Sequence, residues 1–212
     1  MEKLDLRKKY ANLYKPSAKK VELVDVPSLK FTMIDGVIEP GHGPGNSPAF
    51  QQAMMALYGI SYTLKFNSKL RKENPIDYGV MALEGLWSVD DFSKFDIQNP
   101  KDWHWTAMMM QPDHITVEMF QEALAQLRKK QPNPALDLMR FETFHEGLCV
   151  QIMHIGPYSE ELATIAKMDA FAVENGYTMS GRHHEIYLGD PRRSAPEKLK
   201  TVLRHPVEKM GV

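Results

Sequence analysis

Cysteine is almost absent from this 212-residue sequence: Cys149 stands alone inside the apolar run GLCVQIMHI, so no internal disulfide can form. A single thiol in such a run is expected as a core residue in a reducing compartment, which points to the cytoplasm. Long apolar runs are missing too, and MEKLDLRKKYANLYK at the amino terminus lacks the apolar stretch of a secretion signal. No membrane association is expected. Charge of one sign is not in excess, since 26 basic residues face 27 acidic ones. That balance supplies no general field for nucleic acid. The glycine-rich stretch IEPGHGPGNSP matches neither a dinucleotide fingerprint nor a phosphate loop, and no lysine ends it. His183 and His184 point to opposite faces of a strand with no local acid–cysteine set, so neither a metal nor a cofactor is expected. Cys149 and His154 have no clear third member for a thiol-protease arrangement. The residues name no protein partner.

An apolar fraction of 43% with both charge signs well represented indicates an ordered globular chain. Residues 1–19 read as an arm. Val21 to Val37 gives two extended pieces around Pro27 and Ser28. Ser47 and Pro48 then start a helix on which Phe50, Met54, Leu57 and Ser61 repeat, with Tyr58 and Tyr62 on an adjoining stripe. YGVMALEGLW and WHWTAMMMQP read as strands, separated by a polar connector from Asp90 to Asp102. Thr116 caps a second helix over 116–130, with Phe120, Ala123, Leu124 and Leu127 buried. The pattern then restarts: two extended pieces around Glu146 and Gly147, a helix burying Leu162, Ile165, Met168 and Ala172, and a final strand pair.

This order predicts an α+β fold of duplicated strand–helix–strand–strand modules, about 20–113 and 137–207, joined by the 116–130 helix within one domain over 20–212. The modules are expected to pack about a pseudo-twofold axis with a ligand cleft between them. Two independently folded ferredoxin-like units with a hinge are the rival arrangement.

The candidate chemistry lies in HHEIYLGDPRRSAPEKLKTVLRHPV, from His183 to Val207. Alternation places His183, Glu185 and Tyr187 on one strand face and His184, Ile186 and Leu188 on the other. A carboxylate flanked by histidine and tyrosine is a natural polar centre for a ligand pocket. The alternative is a solvated face on which Glu185 only pairs with a surface cation. Arg192, Arg193, Lys198, Lys200 and Arg204 read as a basic, solvated edge.

The ending just quoted, with MMALYGISYTLKF, YGVMALEGLW and WHWTAMMMQPD, closely resembles the gyrase-inhibitor-like small-molecule-binding proteins from about Lys20 to Val207. EIYL followed by DP is the most specific part. The resemblance implies a cleft formed by two copies of the module. It is shared with effector-binding domains of multidrug-responsive regulators, in which a buried glutamate, here Glu185, faces aromatic and often cationic ligands. This sequence has no helix-turn-helix beside the domain. In length and in its WHW strand it is similar to a stand-alone branch that opens the cyclopropane ring of duocarmycin, yatakemycin and CC-1065 type alkylating compounds.

Such a reaction needs a nucleophilic water, charge stabilisation at a distant oxygen and a flat slot. Glu185 is assigned as the base and Tyr187 as its hydrogen-bonding neighbour. Trp103 and Trp105 are expected to stack on a planar ligand, with Tyr58, Tyr62, Tyr158 and His183 completing the binding residues. Non-catalytic binding or sequestration of planar aromatic or cationic drugs is the alternative function. For Trp105 and Tyr58, a core role is the alternative.

Overall fold

Clusters of glycine, proline and serine set the element boundaries of a mixed α+β chain, of which this computed structural model describes residues 2–89 and 103–211. The polar connector expected at Asp90 to Asp102 lies outside the described residues. In chain order the first elements are β1 (Glu2–Leu4), α1 (Leu6–Lys9), α2 (Ala11–Tyr14), β2 (Glu22–Val26), β3 (Leu29–Val37), α3 (Pro48–Lys69), β4 (Ile76–Tyr78), β5 (Leu83–Ser88) and β6 (His104–Gln111). There follow α4 (Val117–Lys130), β7 (Arg140–Phe144), β8 (Gly147–Ile155), α5 (Glu161–Glu174), β9 (Tyr177–Met179), β10 (His183–Tyr187) and β11 (Lys200–Lys209). The run YGVMALEGLW, read as one strand, is broken between Tyr78 and Leu83, as Gly79 permits.

The chain divides into two compact units. The first comprises Met1–Lys9, Leu29–Leu83 and Val89–Phe144. In it β3 lies antiparallel between β6 and β7, and β1 pairs in parallel with β4. Helix α3 starts where Ser47 Oγ accepts a hydrogen bond from the Phe50 amide (3.1 Å), with Pro48 at its first position. It runs through Gly59 and buries Phe50, Leu57, Ile60 and Leu64. Thr116 caps α4 through the Met119 amide (3.3 Å), and Phe120, Ala123 and Leu127 are buried. Strand β6 is buried on both faces after His104, as its apolar run on both sides requires.

The second unit comprises Tyr10–Ser28, Glu84–Ser88 and His145–Val212. Its strands follow the order β2, β8, β11, β10, β5, and β9 pairs with β11. Helix α5 covers one face, burying Met168 and Ala172 against Val150, Ile152, Leu203 and Val207. Each of the larger of these side chains, Met168, Val150, Ile152, Leu203 and Val207, contributes about 1.5–3 kcal/mol when fully buried. Leu162, expected in the buried stripe, is instead half-exposed, and Glu161 takes its place. Residues 161, 165, 168 and 172 fall at i, i+4, i+7 and i+11, which follows the 3.6-residue period more closely than a stripe starting at 162.

Candidate active site

Strand β10 sits between β11 and β5, so each of its faces is framed by side chains from both neighbours. Antiparallel register pairs His184 with Arg204, Glu185 with Leu203 and Tyr187 with Thr201. Strand β8 extends those rows, with Gln151 opposite Arg204 and His154 opposite Thr201. Two polar clusters result, one on each face.

On the α5 face, Glu185 is only 15% exposed at its side chain. Burial pushes its carboxyl up to about 7, against the hydrogen bond from Tyr187 and the nearby His184 charge. Glu161, at the start of α5, is 2% exposed. Its carboxyl rises to about 9, because the negative charge of Glu185 adds to burial and nearby Thr201 offsets only part. Both carboxyls are thus held above the ordinary carboxylate range. A pair of neighbouring carboxyls that keeps protons toward neutral pH is suited to acid–base work.

Tyr187 is oriented by Trp87, whose indole Nε1–H donates to the Tyr187 hydroxyl (2.9 Å). Tyr187 shares the face of Glu185, and burial, with the Glu185 charge beside it, keeps the phenol proton in place. Gly85 makes this approach possible. A Cβ there would lie 2.8 Å from Trp87 Nε1 and 3.0 Å from the Tyr187 hydroxyl oxygen. The Tyr158 ring packs edge-on against Tyr187, with centroids 5.9 Å apart. Glu161 Oε1, Thr201 Oγ1, His183 Nε2 and His205 Nδ1 are all buried with no hydrogen-bond partner among the described protein groups. Buried polar atoms are normally paired, so four orphans on one sheet face suit a polar ligand.

The opposite face is saturated. His184 Nε2 meets Glu84 (3.0 Å) and its Nδ1 meets Glu146 (2.9 Å). The Tyr14 hydroxyl donates to Glu84 (2.6 Å). Arg204 Nη1 donates to Glu146 (3.3 Å), Nη2 to the Leu13 carbonyl (2.7 Å) and Nε to Gln151 (3.2 Å). Gln151 in turn donates to the Asn12 carbonyl (2.7 Å) and to Glu22 (2.9 Å). Glu146 reaches inward from the turn before β8, where Gly147 has φ +76°. The two cations hold its carboxyl down at about 2 although burial opposes them. His184 is raised despite burial, chiefly by the Glu146 charge. Arg204, read from sequence as part of a solvated basic edge, is 2% exposed and belongs to this network. Its strand alternation turns it inward, toward acids that lie far away in sequence.

The second unit thus brings together Glu185, Tyr187, Tyr158 and His183 of the sequence-derived residues. The others belong to the first unit. Trp103 and Trp105 are buried there, and Trp105 meets Phe50 edge-on at 5.1 Å. Tyr58 and Tyr62 sit on the exposed side of α3, with Tyr62 stacked on Phe66. Glu161, Trp87, Gly85, Thr201 and His205 were missed as site residues. The helical phase at Glu161, and the glycine two residues before Trp87 on an alternating strand, were the available signals. A separate groove of about 590 Å³ is lined by residues such as Met153, Ile155, Ser159, Leu162 and Lys167, and includes neither acid of the pair. Among the described residues no group of three or more histidine, cysteine or acidic side chains is placed to hold a metal ion, and no helix is long and apolar enough to cross a membrane.

Among curated proteins no relative matches this chain. An uncharacterized conserved protein from Listeria innocua is similar over 97% of this chain and 100% of its own, at 37% identity and a TM-score of 0.86. A hydrolase from Listeria innocua is similar over 98% of this chain and 100% of its own, at 37% identity and a TM-score of 0.84. The EcmrR C-terminal domain shares the fold at 12% identity and a TM-score of 0.54, over 90% of this chain and 98% of its own. The family model for the GyrI-like small molecule binding domain matches residues 19–208. Nearly the whole sequence is covered, and the chain belongs to the GyrI-like small-molecule-binding family.

Proposed function

We propose that this protein is a hydrolase that opens the cyclopropane ring of cyclopropyl-indole alkylating compounds of the duocarmycin, yatakemycin and CC-1065 type, removing their reactivity toward DNA. The observation that carries the reading is the pair of buried carboxyls on one face, Glu185 and Glu161, both raised above the ordinary carboxylate range by burial. Similarity to a hydrolase at 37% identity over the full length of that chain supports hydrolysis as the reaction class.

Glu185, held by Tyr187, takes a proton from water as the water oxygen forms a bond to the ring carbon. The strained carbon–carbon bond breaks, and its electron pair moves through the conjugated system to the carbonyl oxygen. Protonation of that oxygen completes a net addition of water. The proton taken by Glu185 returns to solvent and solvent protonates that oxygen, so one water is added overall. Trp87 and Tyr158 stand beside Tyr187 and supply aromatic surface for a planar ligand.

The test is incubation of substoichiometric protein with a cyclopropyl-indole compound, followed by mass spectrometry. The expected result is many equivalents of product heavier by one water. One equivalent of bound, unchanged compound would replace this reading with sequestration.

A further inference from the structure

Resting on the hydrolase reading, the orphaned nitrogens on the α5 face carry a more specific assignment. We propose that His183 is a second catalytic residue, and that its Nε2 and Glu185 Oε1 together hold the attacking water.

The two atoms are 3.6 Å apart. That is too long for a direct hydrogen bond, yet one oxygen about 2.8 Å from each can bridge them. Residues i and i+2 on a strand share a face, so β10 fixes this pairing without help from a loop. His183 Nε2 has no partner among the described protein groups, nor does His205 Nδ1 on the facing position of β11. The two imidazole centroids are 5.6 Å apart, which makes His205 the wall that holds the His183 ring.

Protonation states agree with the geometry. Burial, followed by the neighbouring His205, brings His183 down to about 3, and burial lowers His205 as well. Glu185, near 7, is the stronger base, so the proton released by water goes to Glu185 and His183 stays neutral. Its Nε2 then accepts the second hydrogen of the water. Both hydrogens point at protein, and a lone pair of the oxygen is left facing the ring carbon. In the step itself the O–H bond toward Glu185 breaks and the C–O bond forms. The ring C–C pair moves into the ligand, and the hydrogen on His183 is retained. His183 thus orients the water without transferring a proton.

The test compares His183→Gln, His183→Asn and His183→Leu with Glu185→Gln, using a cyclopropyl-indole compound as the probe. Glutamine reaches the position of Nε2, and asparagine and leucine do not. With His183→Leu, kcat is expected to fall about 10²-fold with KM nearly unchanged. His183→Gln should recover most of that loss. Should the leucine variant fail to fold, the glutamine and asparagine variants decide the matter, since only glutamine is expected to be active. Full kcat in His183→Asn or His183→Leu would overturn the assignment while leaving the base intact, provided that Glu185→Gln is inactive. Full turnover in Glu185→Gln would remove Glu185 as the base and the Glu185–His183 water site with it, whereas no turnover in the unaltered protein would overturn the hydrolase reading itself.

Discussion

The two faces of β10 bury ionisable groups in opposite ways. On the His184 face, His184 and Arg204 meet Glu84 and Glu146, and backbone carbonyls of the Asn12–Leu13 segment take up further donors. On the Glu185 face, two carboxyls share a buried region, and among the described residues no cation is paired to Glu161 and four polar atoms lack hydrogen-bond partners. A saturated network holds strands in place, because removing any member strands a buried charge. An under-satisfied cluster has capacity left for a ligand. One strand of five residues therefore separates a saturated face from an under-satisfied one by parity alone.

Glu185→Gln should break the chemical face with the largest effect. The amide keeps the shape but cannot take a proton, so turnover is expected to fall by about 10²–10⁴-fold. The thermal midpoint should hold or rise, since a carboxyl penalised by burial has gone. A variant that lost stability while keeping turnover per folded molecule would assign Glu185 to the scaffold. Arg204→Met should do the reverse. It leaves Glu146 without one of its two cations in a buried setting, at an expected cost of about 3–5 kcal/mol by urea denaturation. Turnover per folded molecule should change little. A loss under about 1 kcal/mol would show that the saturated face does not carry the load assigned to it.

Most of the fold was legible because it rests on local chemistry. Ser47 with Pro48, and Thr116, announce their helices, and the alternation His183–Leu188 separates the two faces of β10 correctly. The polar networks were less legible because they are assembled by register. Glu22, Gln151, Arg204 and His184 form one row across four strands, and no local pattern marks residues so far apart in sequence as neighbours. Arg204 consequently read as one more surface cation among Arg192, Arg193, Lys198 and Lys200. The WHW strand attracted attention, whereas the indole hydrogen-bonded to Tyr187 belongs to Trp87, whose place depends on Gly85. Glu161 escaped notice because a helix-starting glutamate ordinarily faces water.

A smaller effect is expected from Tyr14→Phe. The hydroxyl donates to Glu84, which keeps its contact with His184 after the change. Loss of that one donor to a buried acceptor should cost about 1–3 kcal/mol, again without altering turnover per folded molecule. Equal stability of the variant and the parent would detach the Tyr14 hydroxyl from the network, leaving α2 joined to it through the Asn12 and Leu13 carbonyls.

The comparison also predicts how stability responds to pH, with a slope of at most about 1.4 kcal/mol per pH unit for each group whose protonation differs between folded and unfolded chains. Glu185 and Glu161 have folded values of about 7 and about 9, against an ordinary 4.5. Between these limits the unfolded chain has released protons that the folded chain retains, so rising pH favours unfolding. The contribution of this carboxyl pair should decline from about pH 4.5 through 9, while His183 and His205, both lowered by burial, add stability as pH rises toward their ordinary 6.5. On the other face Glu146, near 2, contributes stability that is present above its ordinary 4.5 and lost as pH falls through about 2. His184 is raised, so its contribution is full below its ordinary 6.5 and fades as pH rises through its folded value. Because His184 also declines toward alkaline pH, the parent protein alone cannot isolate the carboxyl pair. The Glu161→Gln, Glu185→Gln double variant can. Its unfolding free energy, measured in urea between pH 5 and 9, should fall less steeply than that of the parent, leaving the contributions of His183, His184 and His205. Parallel curves for the two proteins would mean that the Glu185 face is solvated and its acids unstrained, and the contrast between the two faces of β10 would be lost.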